Sequence, residues 1–199
     1  MTPLIPRSRV SLSTNTVSLA RRLIGCILVR ELPAATLIGR VVETEAYPAG
    51  DAASHAYRGR TPRCGSMFRP AGHAYIYVAY GVCFMLNVSA EVEGTGAAVL
   101  IRAVGPLQGL SVMKLLRPNA SLREMARGPG RLTRAFDIDR SFDGIDLTKH
   151  GPLWLAAGGA PTDDVGISTR IGISKNADQL WRFFLCGSPF VSAPRRLNV

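Results

Sequence analysis

Two glutamates and a tyrosine alternate along the segment RVVETEAY, residues 40–47. If this segment is a strand, its period of two places Glu43, Glu45 and Tyr47 on one face. Val42, Thr44 and Ala46 then face the other way. At a strand end, a carboxylate that is partly removed from water beside a bound aromatic ring is suited to act as a general base that activates water. The alternative is an exposed pair of acids, or a partner for a buried arginine.

Three tyrosines form a second group of candidates in the segment AYIYVAYGVCFMLNVS, residues 74–89. Tyr80 and Gly81 lie where two apolar runs meet, which predicts a β-hairpin with its turn at these two residues. Turn tips normally carry polar side chains. A bulky ring at the tip could enter a nucleic-acid groove and fill the gap left by an extruded base, or it could fold back onto the sheet.

Further candidates are isolated polar or aromatic residues. Tyr47, Tyr77 and His55 are residue types that can stack a flat base, although core packing would also account for Tyr77 and a surface position for His55. Asn87 and Arg102 lie inside runs that are otherwise apolar, so each needs a hydrogen-bonding partner once it is buried. A polar pocket would supply those partners.

The hydrophobic pattern predicts the framework that must position these residues. A helix is predicted over residues 16–24, with Thr14 or Asn15 as its N-cap, and further helices over 107–116 and 128–136. Strands are predicted over 26–30, 37–47, 97–104 and 180–186, besides the hairpin, with loops over 48–73 and 156–168.

The connections between the predicted strands are too short for repeated helical crossovers. We therefore expect a mixed α/β fold of the α+β type, with a mostly antiparallel β-sheet and a protruding β-hairpin. The length of 199 residues fits a single compact domain over 1–199, in which residues 1–15 form a flexible N-terminal segment.

The charge balance indicates a polyanionic partner. The chain carries 24 basic and 14 acidic residues, a formal net charge of +10, and only three of the basic residues are lysines. Arginine binds phosphate through a planar fork, although a solvated basic face would also account for the excess. The four cysteines form no CxxC pair, which argues against a zinc site or redox motif. No apolar run approaches the ~20 residues of a membrane span, and no secretory signal opens the chain, so we expect it to stay inside the cell.

The combination of motifs resembles the alkyladenine (3-methyladenine) DNA glycosylase family. The resemblance covers roughly residues 16–194 in the family's order. It rests on VETEAY at 42–47, His55, TPR at 61–63, MF at 67–68, YIYVAYG at 75–81, Asn87, LIRA at 100–103, GPGRL at 128–132 and RFFLCGSPFVS at 182–192. It implies a monofunctional enzyme that flips alkylated or deaminated purines out of duplex DNA and hydrolyses the N-glycosidic bond, starting base excision repair.

The resemblance also implies roles for the individual residues. Glu45 is expected to deprotonate the attacking water and Arg102 to help hold it, whereas Glu43 is structural. Tyr47, His55 and Tyr77 are expected to sandwich the flipped purine. The two remaining roles are a minor-groove wedge for Tyr80 and, for Asn87, crowding of the purine 2-position against normal guanine.

The same resemblance implies no metal and no cofactor. It implies a monomer that binds damaged double-stranded DNA, not membranes, and that lies in the cytoplasm on the nucleoid if its source is bacterial. Three other classes of protein are alternatives. A module that only binds nucleic acid has no reason to place Glu45 near a polyanion. A lyase would use one of only three lysines, Lys114, Lys149 and Lys175, as a Schiff base, and a zinc deaminase would need the HxE and PCxxC motifs that this sequence lacks.

Overall fold

The computed structural model describes residues 4–12, 15–158 and 164–192. Its α-helices are α1 Arg9–Leu12, α2 Thr16–Leu23, α3 Leu110–Leu116 and α4 Pro129–Ala135. Its strands are β1 Ile27–Leu32, β2 Ala35–Tyr47, β3 Ala74–Ala79, β4 Cys83–Ser89, β5 Ala98–Gln108, β6 Leu153–Ala156, β7 Val165–Ser168 and β8 Arg182–Leu185. Short 3₁₀ helices lie at Gly65–Phe68, Leu122–Glu124 and Arg140–Phe142.

These strands form one antiparallel sheet with β2 at its centre. The order is β3-β4-β5-β2-β1-β6, and β8 pairs with both β2 and β7. Because β2 is long, its first half pairs with β1 and its second half with β8, from Glu43 to Glu45. Strand β5 pairs with β2 along most of its length. The central strand therefore brings together residues from distant parts of the chain.

The main hydrophobic core lies where the helices pack on one face of this sheet. It joins Leu19 and Leu23 of α2 and Leu132 of α4 to sheet residues such as Val41 and Ile101. Helix α2 begins at its cap Asn15, whose side chain accepts from the N–H groups of residues 17 and 18. The Thr44 hydroxyl donates to the Ala20 carbonyl at 2.8 Å, which ties α2 to the central strand.

The structure confirms the expected fold class and the single compact domain. Helix α2, strands β1, β2 and β5, the hairpin and β8 all form where the sequence predicts them. The hairpin tip is exposed: the Tyr80 side chain is 89% exposed and Val82 81%. In the described part of the chain, no helix has the length and apolar character that a membrane crossing requires.

The sequence pattern does not predict two short strands that form by pairing with distant strands. Strand β7 lies in the segment 156–168, expected to be a loop, and β6 was not predicted. Both are four-residue strands that form by pairing with β8 and β1, so their own sequence gives little signal.

Residues 4–12, part of the segment 1–15 that is expected to be flexible, contact the rest of the chain. Leu12 is fully buried, and the Arg9 guanidinium pairs with Asp146 at 2.6 Å. The N–H of Arg7 also donates to the Leu155 carbonyl on β6 at 2.7 Å. Residues 1–3, 13 and 14 lie outside the described residues.

Gly39 of β2 is a position where the packing leaves no room for a side chain. A Cβ there would lie 2.2 Å from Val104 Cγ1 and 2.9 Å from the Phe136 ring. We expect Gly39→Ala to lower the free energy of unfolding by about 1–3 kcal/mol, since overpacking forces the neighbours apart. Gly151→Ala is the matched control, because a Cβ at Gly151 meets no atom within 4 Å. Urea denaturation that showed equal stability for the two variants would contradict this account of the core.

Candidate active site

The acidic strand β2 contains a bulge that changes the expected alternation. The register with β5 shifts on both sides of Glu43. As a result Val41 joins the main core, and Val42 packs instead in a separate cluster with Ala103 and Phe184. The prediction that Val42 shares a face with Thr44 and Ala46 is therefore wrong, because a bulge inserts one residue into the period of two. Glu43 and Glu45 nevertheless point to the same side, and both reach Arg102.

Glu43 holds the centre of a buried ion network. Its carboxylate is fully buried and accepts from Arg102 Nε at 2.9 Å and from Arg182 Nε at 2.8 Å. The Ser192 N–H and hydroxyl donate to it at 2.6 and 2.9 Å. Burial alone raises the pKa of the Glu43 carboxyl, but the two arginines and the Ser192 N–H outweigh burial and hold the pKa below its usual value. Glu43 therefore stays ionised and joins three segments of the chain.

Glu45 is also fully buried. Its Oε1 atom accepts from the Ile171 N–H at 2.8 Å. Its Oε2 atom accepts from the Tyr47 hydroxyl at 2.9 Å and lies 3.2 Å from Arg102 Nη1. Burial and the neighbouring Glu45 carboxylate raise the pKa of Tyr47, so its hydroxyl remains a donor. The arrangement fixes a carboxylate whose second oxygen faces a tyrosine hydroxyl and a guanidinium.

The four residues predicted to bind a base all line one solvent-connected cavity. Tyr47, His55, Tyr77 and Asn87 share its wall with Ala53, Ser54, Met67, Tyr75, Ala98 and Ile173. Glu45 and Arg102 are not part of this wall. They lie behind Tyr47, whose hydroxyl bonds to Glu45.

The aromatic wall has a defined geometry. The His55 ring packs edge-on against Tyr77 with ring centroids 4.5 Å apart, and Tyr75 stacks with Tyr77 at 5.6 Å. His55 Nδ1 lies 2.8 Å from the Tyr75 hydroxyl. Partial burial of the ring, and to a lesser extent the charge of Arg63, lower the pKa of His55. The wall therefore offers π faces and a neutral imidazole to a flat ligand.

Asn87 is buried, and its amide orientation is fixed by the hairpin. Its Nδ2 atom donates to the Tyr75 carbonyl at 3.1 Å and to the Met85 carbonyl at 3.3 Å. The hydrogen-bonding partners that this buried polar residue needs are therefore two backbone carbonyls. The arrangement makes the Asn87 side chain a rigid part of the cavity wall.

Tyr80 lies at the hairpin tip and not in the cavity wall. Tyr80 and Gly81 have φ angles of 53° and 71°, and the Val82 N–H closes the turn on the Ala79 carbonyl at 3.2 Å. A positive φ is uncommon for a tyrosine. The turn holds the exposed ring out from the sheet.

Sequence reasoning missed four residues that build this site. Arg182 anchors Glu43, Ile171 bonds to Glu45, and Asp51 and Arg170 form a buried ion pair beside Tyr47. The signal for Arg182 was present, because a lone charge inside the apolar run LWRFFLC requires a buried partner. The local sequence around Asp51 and Arg170 carries no comparable signal.

Removal of the Glu43 charge tests the ion network. We expect Glu43→Gln to destabilise the protein by about 3–5 kcal/mol at pH 7, because it leaves two arginines without their shared partner. Since the pKa of Glu43 is lowered by folding, its contribution exists above the unfolded pKa of about 4.3 and is lost as the pH falls further. The stability difference between wild type and Glu43→Gln, measured by urea denaturation, should thus shrink below about pH 4.

The control for this measurement is Glu124→Gln. Glu124 pairs with Arg131 at 3.3 Å on the surface, and we expect its loss to cost less than about 1 kcal/mol. A Glu43→Gln variant as stable as this control would show that the network does not support the fold.

Comparison with known proteins shows the family of this chain. The sequence model for methylpurine-DNA glycosylase (MPG) matches residues 11–189. A relative from Mesorhizobium japonicum is 55% identical over 193 residues, covering 97% of this chain and 93% of its own length. One from Paraburkholderia phytofirmans is 51% identical over 197 residues (99% and 92%), and one from Methanoculleus marisnigri is 43% identical over 182 residues (89% and 94%). All three are named as candidate 3-methyladenine DNA glycosylases. The chain therefore belongs to the methylpurine-DNA glycosylase family, whose members are hydrolases that cleave N-glycosidic bonds in DNA.

Proposed function

We propose that this DNA glycosylase is monofunctional, that it flips alkylated and deaminated purines out of duplex DNA, and that 3-methyladenine is among its substrates. The observation that carries the proposal is the direct link between the aromatic cavity and the buried acid. The Tyr47 ring lines the cavity while its hydroxyl donates to Glu45 at 2.9 Å. A base held in the cavity would therefore be separated from the Glu45 carboxylate by the side chain of Tyr47. The names of the relatives support the choice of lesion.

Base recognition is assigned to the cavity wall. A flipped purine would stack among Tyr47, His55 and Tyr77, which returns part of the few kcal/mol that unstacking from the duplex costs. Alkylation at N3 or N7 gives the purine a positive charge, and the π faces of the tyrosines attract a cationic ring. Asn87, held rigidly by two backbone carbonyls, would crowd the 2-amino group of normal guanine.

Hydrolysis is assigned to Glu45 and Arg102. A water held by Arg102 would donate to Glu45 Oε2, the oxygen that accepts from Tyr47 in the free protein. Glu45 takes the proton as the water oxygen attacks the sugar C1′, and the bond electrons leave with the base. An alkylated, cationic purine leaves as a neutral base, whereas a deaminated purine leaves as an anion that takes a proton from solvent. The carboxylate also stabilises the oxocarbenium character of the sugar. No covalent enzyme intermediate is needed.

DNA binding is assigned to the exposed hairpin tip and the basic surface. Tyr80 would enter the minor groove and fill the gap left by the flipped nucleotide. The net charge of +10 suits phosphate contacts by a monomer on double-stranded DNA. Since relatives occur in bacteria, we expect such a protein to act in the cytoplasm, on the nucleoid.

Base release from a defined duplex tests the catalytic assignment. Duplexes that carry one N3-methyladenine, one hypoxanthine or one ethenoadenine are incubated with enzyme, and the abasic sites formed are cleaved and counted. We expect Glu45→Gln to slow release by about 100- to 10,000-fold, the usual contribution of a general base, with binding retained. Glu31→Gln, an exposed acid on β1, serves as the control and should match wild type.

Three results would contradict the assignment. Binding without release by the wild type on all three lesions would favour a damage-sensing module. A covalent adduct trapped by borohydride would favour a lyase that uses a lysine. Release that survives in Glu45→Gln would exclude Glu45 as the base.

The wedge is tested by substitution at Tyr80. Loss of a base-stacking ring costs about 1–3 kcal/mol, so we expect Tyr80→Ala to bind a lesion duplex roughly 5- to 150-fold more weakly than wild type. Tyr80→Phe retains the ring and should bind like wild type. Fluorescence anisotropy titrations at fixed salt measure these dissociation constants, and equal values for Tyr80→Ala and Tyr80→Phe would rule out the wedge.

A further inference from the structure

A second buried ion pair, Arg170 with Asp51, lies next to the proposed site. Both side chains are fully buried, and two nitrogens of the guanidinium donate to the carboxylate. The Nη2 atom lies 3.2 Å from Asp51 Oδ1. Neither residue lines the cavity. A buried ion pair of this kind contributes little net stability, because apolar side chains of similar volume often replace it without loss. Stability alone therefore does not account for this pair.

The Arg170 guanidinium joins three segments that meet behind the cavity. Its Nη1 atom donates to the Ala46 carbonyl on β2 at 3.0 Å, and its Nη2 atom donates to the Asn176 carbonyl in the loop before β8 at 3.3 Å. Asp51 belongs to the loop between β2 and β3, and it also accepts from Asn176 Nδ2 at 2.8 Å. The fork of a guanidinium can satisfy several acceptors at fixed angles, which the single ammonium of lysine does not reproduce.

The same guanidinium lies between two aromatic rings. Its Cζ atom is 4.6 Å from the centroid of the Tyr47 ring and 4.9 Å from that of Trp181. Cation–π attraction inside the protein is stronger than at the surface because the cation has already lost its water. Arg170 therefore fixes the orientation of Tyr47, the ring that lines the cavity and bonds to Glu45.

Arg170 is also connected to Glu45 through the backbone of the residue that follows it. The next residue, Ile171, donates its N–H to Glu45 Oε1 at 2.8 Å, and Ile173 lines the cavity. One side chain thus sets both the ring that would stack the base and the backbone donor that orients the carboxylate. A displacement of about 1 Å at a reacting group can lower a rate by about 100-fold.

We propose that Arg170 is a positioning residue of the glycosylase reaction: clamped by Asp51 and held between Tyr47 and Trp181, it keeps the base-stacking ring and the water-activating carboxylate in one geometry. This inference rests on the proposed function of Glu45 and Tyr47. It requires that Arg170 affects the chemical step more than it affects DNA binding or folding.

Single-turnover release of N3-methyladenine from a duplex, with the enzyme in saturating excess, tests the proposal. We expect Arg170→Met, which keeps an apolar stem, to release the base about 100-fold more slowly per folded molecule. Its dissociation constant for the same duplex should rise less than about tenfold, since it removes no group from the cavity wall. Arg9→Met is the matched control, because it breaks the Arg9–Asp146 ion pair away from the cavity and should leave the rate unchanged.

Arg170→Lys and Trp181→Leu separate positioning from stability. Arg170→Lys keeps a cation beside Asp51 and should fold. Because lysine lacks the planar fork of the guanidinium, the rate of base release by this variant should stay at least about tenfold below that of wild type. Trp181→Leu keeps the ion pair and removes one ring, and it should slow release by about tenfold. If Arg170→Met does not fold, these two variants decide the question.

The possible results have distinct meanings. Wild-type rates per folded molecule in Arg170→Met, or in both Arg170→Lys and Trp181→Leu, would overturn the positioning role and leave the proposed function intact. A wild-type enzyme that released no base would contradict the proposed function and this inference together. Slow release with nearly normal binding would support both.

Discussion

The fold depends on the burial of two carboxylates in the middle of its sheet. Glu43 and Glu45 are fully removed from water, and two charges in that position are costly unless each is paired and hydrogen-bonded. Arg102 comes from β5 on one edge of β2, and Arg182 comes from β8 on the other edge. Each strand must pair with β2 in one register, since a shift by one residue would turn its arginine to the opposite face.

This network also reconciles an acidic site with a polyanionic substrate. A carboxylate near DNA phosphates normally opposes binding. Here the charges of Glu43 and Glu45 are matched by those of Arg102 and Arg182, and all four groups lie inside the protein. The surface excess of arginine therefore remains available for phosphate contacts.

Strands and loops contribute different parts of the site. The acid and its arginine lie on central strands, where ladder hydrogen bonds and core packing hold them. The cavity wall is completed by loop residues such as Ser54, His55 and Ile173. Arg170 connects these two parts, because its guanidinium bonds to β2 and to both neighbouring loops. The wall is thus tied to the strand that carries the acid.

The sequence by itself determined the elements whose signal is local: the capped helix α2, the strands β1, β2 and β5, the hairpin turn at Tyr80, and the candidates that line the cavity. Local periodicity and turn chemistry report these features directly. Only the tertiary structure decided strands β6 and β7, the packing of residues 4–12, the bulge at Val42 and the partners of Glu43. It also brought Asp51 to Arg170, 119 residues further along the chain. Such contacts depend on which distant segments pair, and the local sequence around each partner does not specify that pairing.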